Sequence, residues 1–439
     1  MVFMADLSIN LAGIRSPNPF WVASGPPSNT AYQCHRAFEA GWGGVVWKTI
    51  GDPIVNVASR YSALNLGEMR MVGFNNIELI SDRSVETNFR EIAEVKKRWP
   101  DRAVIASLMV DTRERWHEFA RRSADCGADG IELNFGCPHG MCERGMGSAV
   151  GQQPPVTEKI VSWVMEAATI PVIVKLTPNI TDVVFAARAA RTGGGNAISL
   201  INTINSITQV NLDNLVPEPF VAGLSTHGGY CGPAVKPIAL NMVQSCAADP
   251  EVGLPISGIG GIASWRDAAE FIALGSTSVQ VCTAIMHYGF RIVEDMLDGL
   301  NDYLDAKGFQ SVTDLVGKAV PTLRKWESLD LNYKRVARIN YDKCIGCNLC
   351  YIACEDGAHQ CIDLVPPDGH GLGPGRVPGK PIPQVREDDC VGCNLCSIVC
   401  PVEGCITMVS LAEGKSKMSW TDYQERLSRG EIQPIPAHP

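Results

Sequence analysis

Seventeen cysteines are spread unevenly along the 439 residues, and ten of them lie between Cys344 and Cys405. Eight of the ten form two matching runs, Cys344, Cys347, Cys350, Cys354 and Cys390, Cys393, Cys396, Cys400, each spaced C-x2-C-x2-C-x3-C. Three thiolates on a tight loop reach three irons of one cube, and the next turn carries the fourth thiolate away towards a second cube. The spacing therefore points to two [4Fe–4S] clusters that exchange their fourth ligands. Cluster one takes Cys344, Cys347, Cys350 and Cys400; cluster two takes Cys390, Cys393, Cys396 and Cys354. The alternative metal is zinc, which takes four ligands, usually as paired C-x2-4-C units with a long spacer. Four cysteines within eleven residues, twice, suit it far less well. Gly346 and Gly392 let the backbone bend and bring amide N–H groups near the sulfurs. Glu355 follows Cys354 where Pro401 follows Cys400, a departure that changes the turn but not the ligand count. Cys361 and Cys405 hold matching places in the two repeats and read as small core residues.

Such clusters pass single electrons and do no chemistry on a substrate. The rest of the chain must therefore hold a group that exchanges one- and two-electron currency, and a flavin does so. The residues that suit one recur at the ends of apolar runs. Lys48 in VVWKT and Lys175 in PVIVKLTPN are costly there unless each ammonium reaches a partner. The electron-rich pyrimidine edge and ribityl chain of a flavin are such partners. Ser257–Ile262 (SGIGGI) and Gln280–Ala284 (QVCTA) follow the seventh and eighth predicted strands, where backbone amides form a phosphate cradle. Gly260 and Gly261 permit close approach, Thr283 adds a hydroxyl, and Thr226–Gly232 is a further glycine-rich turn on the same rim; together they suit the phosphate of FMN. Cys137 sits in NFGCPHG (134–140), at a strand end that opens a loop with glycine hinges, where a thiol can give or take a proton behind a lid. Asn76, Asn134 and Asn202 offer carboxamides whose donor and acceptor faces match the alternating C=O and N–H groups of a pyrimidine-dione. Cys34, Cys126, Cys142, Cys231 and Cys246 lack such a setting and read as packing or surface thiols. No GxGxxG fingerprint opens a βαβ unit near the N-terminus, so no NAD(P) or FAD site is expected in this chain.

The elements that must position these residues alternate along residues 1–325. Strands are predicted at Phe20–Ser24, Gly44–Lys48, Ala103–Leu108, Gly130–Asn134, Val172–Leu176, Ala197–Asn202, Leu254–Ser257 and Ser278–Val281, with helical stretches between them. Trp116, Phe119 and Ala120 show the helical spacing in one such stretch. Eight strands alternating with helices suggest a closed α/β barrel of the TIM (β/α)8 type rather than an open doubly wound sheet. Lys48, Asn134, Lys175 and Asn202 at strand ends favour the barrel, because those ends converge on one face. Residues 326–343 read as a linker. Counted with this linker, a C-terminal two-cluster ferredoxin-like domain occupies 326–410, its repeats offset by 46 residues and joined by a Gly/Pro-rich loop, and 411–439 form a polar tail. A net charge of −9 argues against nucleic-acid binding. No apolar run reaches the roughly 18 residues of a membrane span, and the N-terminus lacks a secretory pattern. Clustered thiols without a disulfide pattern fit a reducing, cytoplasmic setting.

The segments FNNIELI (74–80), ELNFGCPHGM (132–141), VKLTPN (174–179), INTIN (201–205), STHGGYCGPAVKPIAL (225–240), GGI and QVCTA, with the cysteine repeat, resemble the C-terminal half of dihydropyrimidine dehydrogenases over residues 5–410. The resemblance implies that uracil or thymine lies against FMN, that hydride passes from flavin N5 to C6, and that Cys137 protonates C5. It places Asn76, Glu78, Asn134, Asn202 and Thr203 on the base, and Ala23, Ser24, Lys48, Thr49, Lys175, Gly232, Gly260, Gly261, Cys282 and Thr283 on the flavin. It further implies an FAD- and NAD-binding flavoprotein subunit as partner, within a heterotetramer built on a dimer of this chain. Gly136 stands where the family often has serine, and His227 where tyrosine is common. The nearest competing reading is a dihydroorotate dehydrogenase-like enzyme, whose substrate carboxylate Glu78 is expected to repel. A flavin and iron–sulfur electron-transfer protein without substrate is the other.

Overall fold

A computed structural model describes residues 5–55, 59–141, 144–357, 359–366, 379–411 and 416–434, with the side chain of Met69 left aside. Cys142 and residues 367–378 of the Gly/Pro-rich loop lie outside the described residues. Contacts divide the chain into two units, Met1–Thr322 and Leu323–Pro439.

In the first unit eight parallel strands close into a barrel: β1 (Phe20–Val22), β2 (Gly44–Val46), β3 (Ala103–Leu108), β4 (Gly130–Asn134), β5 (Val172–Lys175), β6 (Ala197–Leu200), β7 (Ile256–Ile259) and β8 (Ser276–Val281). Each strand pairs with its successor, and β8 pairs with β1. The strands are buried on both faces because helices cover the outside. Val104, Ile131, Val174 and Ile198 are fully buried. The covering helices include α1 (Ala31–Ala40), α2 (Val85–Arg98), α3 (Arg113–Asp125), α4 (Pro154–Met165), α5 (Val183–Thr192), α6 (Lys236–Ala248) and α7 (Trp265–Ala273). Trp116, Phe119 and Ala120 form the buried stripe of α3.

Helix α7 starts at a capping box in which Ser264 and Asp267 satisfy each other's backbone N–H groups. Its Phe271 is fully buried, and a Cβ on Gly258 of β7 would come within 2.6 Å of the ring. Strand and helix thus pack closely here, and Phe271→Ala is expected to cost about 3–5 kcal/mol. A lowered denaturant midpoint would register that cost, and an unchanged midpoint would show that the site collapses without loss.

One feature was absent from the strand pattern. Four short strands, Tyr61–Leu66, Met69–Asn76, Ile204–Ser206 and Gly228–Cys231, form a separate antiparallel sheet. Asn76 faces Gly229 and Tyr230 faces Ile204 across it.

In the second unit, β9 (Arg335–Ile339) pairs antiparallel with β12 (Ile406–Ser410), and β10 (Ile362–Val365) with β11 (Ile382–Val385). The two cysteine runs lie between these ladders and lead into the helices Leu349–Gly357 and Leu395–Ile398. Asn348 and Asn394 precede those helices in matching left-handed conformations. The helix Trp420–Ser428 belongs to the same unit, where Leu331 N–H donates to Met418 O and Trp420 lies against Trp326.

Candidate active site

At the carboxyl ends of the barrel strands lies a cavity of about 330 Å³, within the range of small-molecule and cofactor sites. All sixteen barrel residues singled out from the sequence line it. Ala23 and Ser24 follow β1, Lys48 and Thr49 follow β2, Asn134 ends β4, and Lys175 ends β5. Asn202 and Thr203 follow β6, Gly260 and Gly261 follow β7, and Cys282 and Thr283 follow β8. The antiparallel sheet contributes Asn76, Tyr61, Phe74 and Tyr230.

Hydrogen bonds tie these side chains into two groups. Asn202 Nδ2 donates to Asn134 Oδ1 at 2.9 Å, Asn134 Nδ2 to Thr49 Oγ1 at 2.9 Å, and Thr203 N–H to Asn202 Oδ1 at 2.8 Å. Asn76 Nδ2 donates to Gly229 O at 2.9 Å while its Oδ1 accepts from Glu78 N–H. Each of these carboxamides is oriented by hydrogen bonds within the site, and the NH2 groups of Asn134 and Asn202 keep a further donor for a ligand.

Glu78 is not an isolated negative charge. Its carboxylate pairs with Lys48 and, at 2.8 Å, with Arg60, and accepts from Tyr61 Oη at 2.9 Å. Burial and the Glu78 carboxylate push the Tyr61 phenol up to about 12. The expectation that Glu78 repels an anionic substrate is therefore corrected: two cations neutralise it. Gly136 also has a local reason, since a Cβ there would stand 2.4 Å from Asn202 Cβ. His227 is exposed and does not line the cavity; Tyr230 does.

Cys137 lies in a satellite core with Ile80, Met109, Met141 and Met146, and its thiol donates to His139 O at 3.4 Å. His139 escaped the sequence reading as a separate candidate. Its Nε2 bonds Glu78 O at 3.1 Å; because a carbonyl only accepts, that nitrogen carries the hydrogen. Nδ1 is left as a buried acceptor without a partner among the described residues. Burial pushes the imidazole below its usual range and keeps it neutral. The reading of Cys231 as a packing or surface thiol is corrected, since it also lines the cavity and accepts from Thr283 Oγ1 at 3.3 Å. Burial pushes its thiol up to about 11 and that of Cys282 to about 12.

The residues fit a phosphorylated flavin. Gly260 and Gly261 have φ of 133° and 76°, which side chains rarely adopt, and they leave amides bare at the rim. Asp267 anchors the following turn by accepting from Ala263 and Ser264 N–H groups. The Gln280 carboxamide oxygen is buried in the cavity lining without a partner among the described residues. A Gly260→Ala methyl would meet Ala239 Cβ at 2.7 Å in a strained conformation. That variant is expected to bind flavin about tenfold more weakly or worse. Flavin absorbance per chain measures it, and full retention would remove Gly260 from the cradle.

The second unit brings its thiols together in two further cavities. Cys344, Cys347, Cys350 and Cys400 line one, with Cys405. Cys390, Cys393, Cys396 and Cys354 line the other, with Cys361. Each thus draws three cysteines from one run and the fourth from the other, a donor set that suits iron–sulfur cubes. Cys361 Sγ lies 3.5 Å from Cys354 Sγ, so it is a neighbour of the candidate ligands as well as a core residue.

A family profile described as dihydroorotate dehydrogenase matches residues 6–304, and one described as a 4Fe-4S dicluster domain matches 337–408. The chain is 46 % identical over 360 residues to the NAD-dependent dihydropyrimidine dehydrogenase subunit PreA of Escherichia coli (strain K12), covering 82 % of this chain and 87 % of the relative. The chain belongs to the dihydropyrimidine dehydrogenase family. As a dihydropyrimidine dehydrogenase it is an oxidoreductase, with a dihydroorotate dehydrogenase-type barrel followed along the chain by an iron–sulfur unit. A chloroplastic dihydropyrimidine dehydrogenase (NADP(+)) of Arabidopsis thaliana is 41 % identical, covering 72 % of this chain and 77 % of its own. The catalytic subunit of dihydroorotate dehydrogenase B (NAD(+)) of Pyrococcus horikoshii is 35 % identical, covering 72 % and 98 %. Among the described residues no helix is long and apolar enough to cross a membrane.

Proposed function

We propose that this dihydropyrimidine dehydrogenase interconverts uracil or thymine and the 5,6-dihydropyrimidine, with FMN in the barrel cavity and two [4Fe–4S] clusters in the second unit. Electrons come from an FAD- and NAD-binding partner subunit, in a heterotetramer within the cytoplasm. Kinship with a protein named as a subunit supports an assembly of more than one chain. The observation that carries the reading is the meeting of Cys137, three oriented asparagines and two lysines around one cavity.

When bound, the flavin supplies hydride for C6 of the pyrimidine, and the clusters supply its electrons one at a time. Lys48, Thr49, Lys175 and the backbone of Gly260 and Gly261 hold the flavin, with Ala23, Ser24, Gly232, Cys282 and Thr283 around it. Asn76, Asn134, Asn202 and Thr203 hold the base by matching its alternating donors and acceptors, and Glu78 accepts an N–H. Cys137 holds the proton for C5 as an S–H sheltered by Met141 and Met146. Delivering that proton as C6 is reduced avoids a free enolate.

Co-expression with the partner subunit tests the proposal. NADH-dependent uracil reduction is expected with both chains present and not with this chain alone. Turnover by this chain alone, or of dihydroorotate in place of dihydrouracil, would overturn it.

A further inference from the structure

Beneath the cavity, the barrel interior holds a charge that the proposed mechanism does not use. Glu132, in the middle of β4, is completely buried and does not itself line the cavity. Its Oε2 accepts from Ser199 Oγ at 2.8 Å and from Gln280 Nε2 at 3.0 Å. Its Oε1 has no hydrogen-bond partner among the described residues. The Lys175 ammonium stands 3.7 Å from Oε1, beyond hydrogen-bond length, and is itself in the cavity lining. A buried carboxylate only accepts, so it also dictates which end of the Gln280 amide faces it and leaves the amide oxygen free. A buried ammonium only loosely paired with its counter-charge, and lining a cavity, points to an electron-rich ligand there.

We propose that Glu132 is a positioning residue, which holds the Lys175 ammonium at the cavity floor and thereby sets how readily the flavin there accepts electrons. The inference rests on the flavin assigned under the proposed function. Glu132 contributes no proton and touches no substrate; it acts through Lys175. Without its counter-charge, an ammonium in this setting leaves the floor, so Glu132→Gln should behave as Lys175→Met does.

The test is a reductive titration of the flavin in the purified full-length holoprotein, comparing wild type, E132Q, K175M and the double variant. Both single variants are expected to lower the reduced-to-oxidised flavin ratio at fixed poise by at least tenfold, about 30 mV for a two-electron couple. The double variant is expected to add nothing further, because one ammonium carries both effects. An unchanged E132Q, a shift in the opposite direction, or full additivity would overturn the inference. Should E132Q fail to fold, Glu132→Asp decides: it must shift the titration in the otherwise native chain and have no effect in the K175M background. A merely structural Glu132 would lower the melting temperature and leave the titration in place. Wild-type protein that binds no flavin would overturn the proposed function itself, which separates the two failures.

Discussion

Cys137→Ala is expected to slow pyrimidine reduction by roughly 10² to 10⁴, the range that one positioned general acid supplies. The thiol occupies a pocket of methionines and isoleucine at the cavity, where no bulk water competes to deliver the proton. Alanine removes the S–H, with its hydrogen bond of 3.4 Å to the His139 carbonyl, and leaves the side chains assigned to the flavin and the base in place. Flavin content and base binding should therefore survive. The check is turnover at saturating substrate beside the flavin-to-protein ratio. Near-native turnover would remove Cys137 from the chemistry; loss of flavin would make its role structural.

The second large effect concerns the other unit. Cys350 is buried and lines one cavity with Cys344, Cys347 and Cys400. Cys350→Ala takes one of four thiolates from one proposed cube and leaves the other set whole. Iron is expected to fall from about eight towards about four per chain. NADH-driven turnover in the complex should disappear, while dihydrouracil still bleaches the flavin, since that half-reaction needs only the barrel. Iron analysis and the two assays check this together. Full iron retention would contradict the ligand assignment, and loss of bleaching would mean that the barrel depends on the clusters for more than electrons.

The barrel strands were legible because burial on both faces writes a strand as a short, mostly apolar run, and several runs end in a polar residue where they reach the mouth. Lys48, Asn134 and Lys175 are such residues, and each lines the cavity. The cysteine runs were legible for a related reason: a cube needs thiolates at fixed short intervals, and few other sites do. The antiparallel sheet was not legible. Its last strand, Gly228–Cys231, is short and glycine-rich, and it is set by pairing with Phe74–Asn76, more than 150 residues away, rather than by local periodicity.

Glu132 was hidden for the opposite reason. Inside an apolar run, a single acidic residue says nothing of the serine and glutamine that meet it from other strands. His139 was masked by its neighbour, since NFGCPHG draws attention to the thiol. Only the fold shows an imidazole nitrogen buried without a partner among the described residues. The charge around Glu78 was misjudged because Lys48 and Arg60 reach it from positions that its own segment does not reveal.

Anaerobic addition of dihydrouracil to the purified chain, followed by its visible spectrum, tests the central claim most directly. Bleaching of a bound flavin at a rate that Cys137→Ala slows by roughly 10² or more is the expected result. A chain reconstituted with FMN whose spectrum does not change on that addition would contradict it.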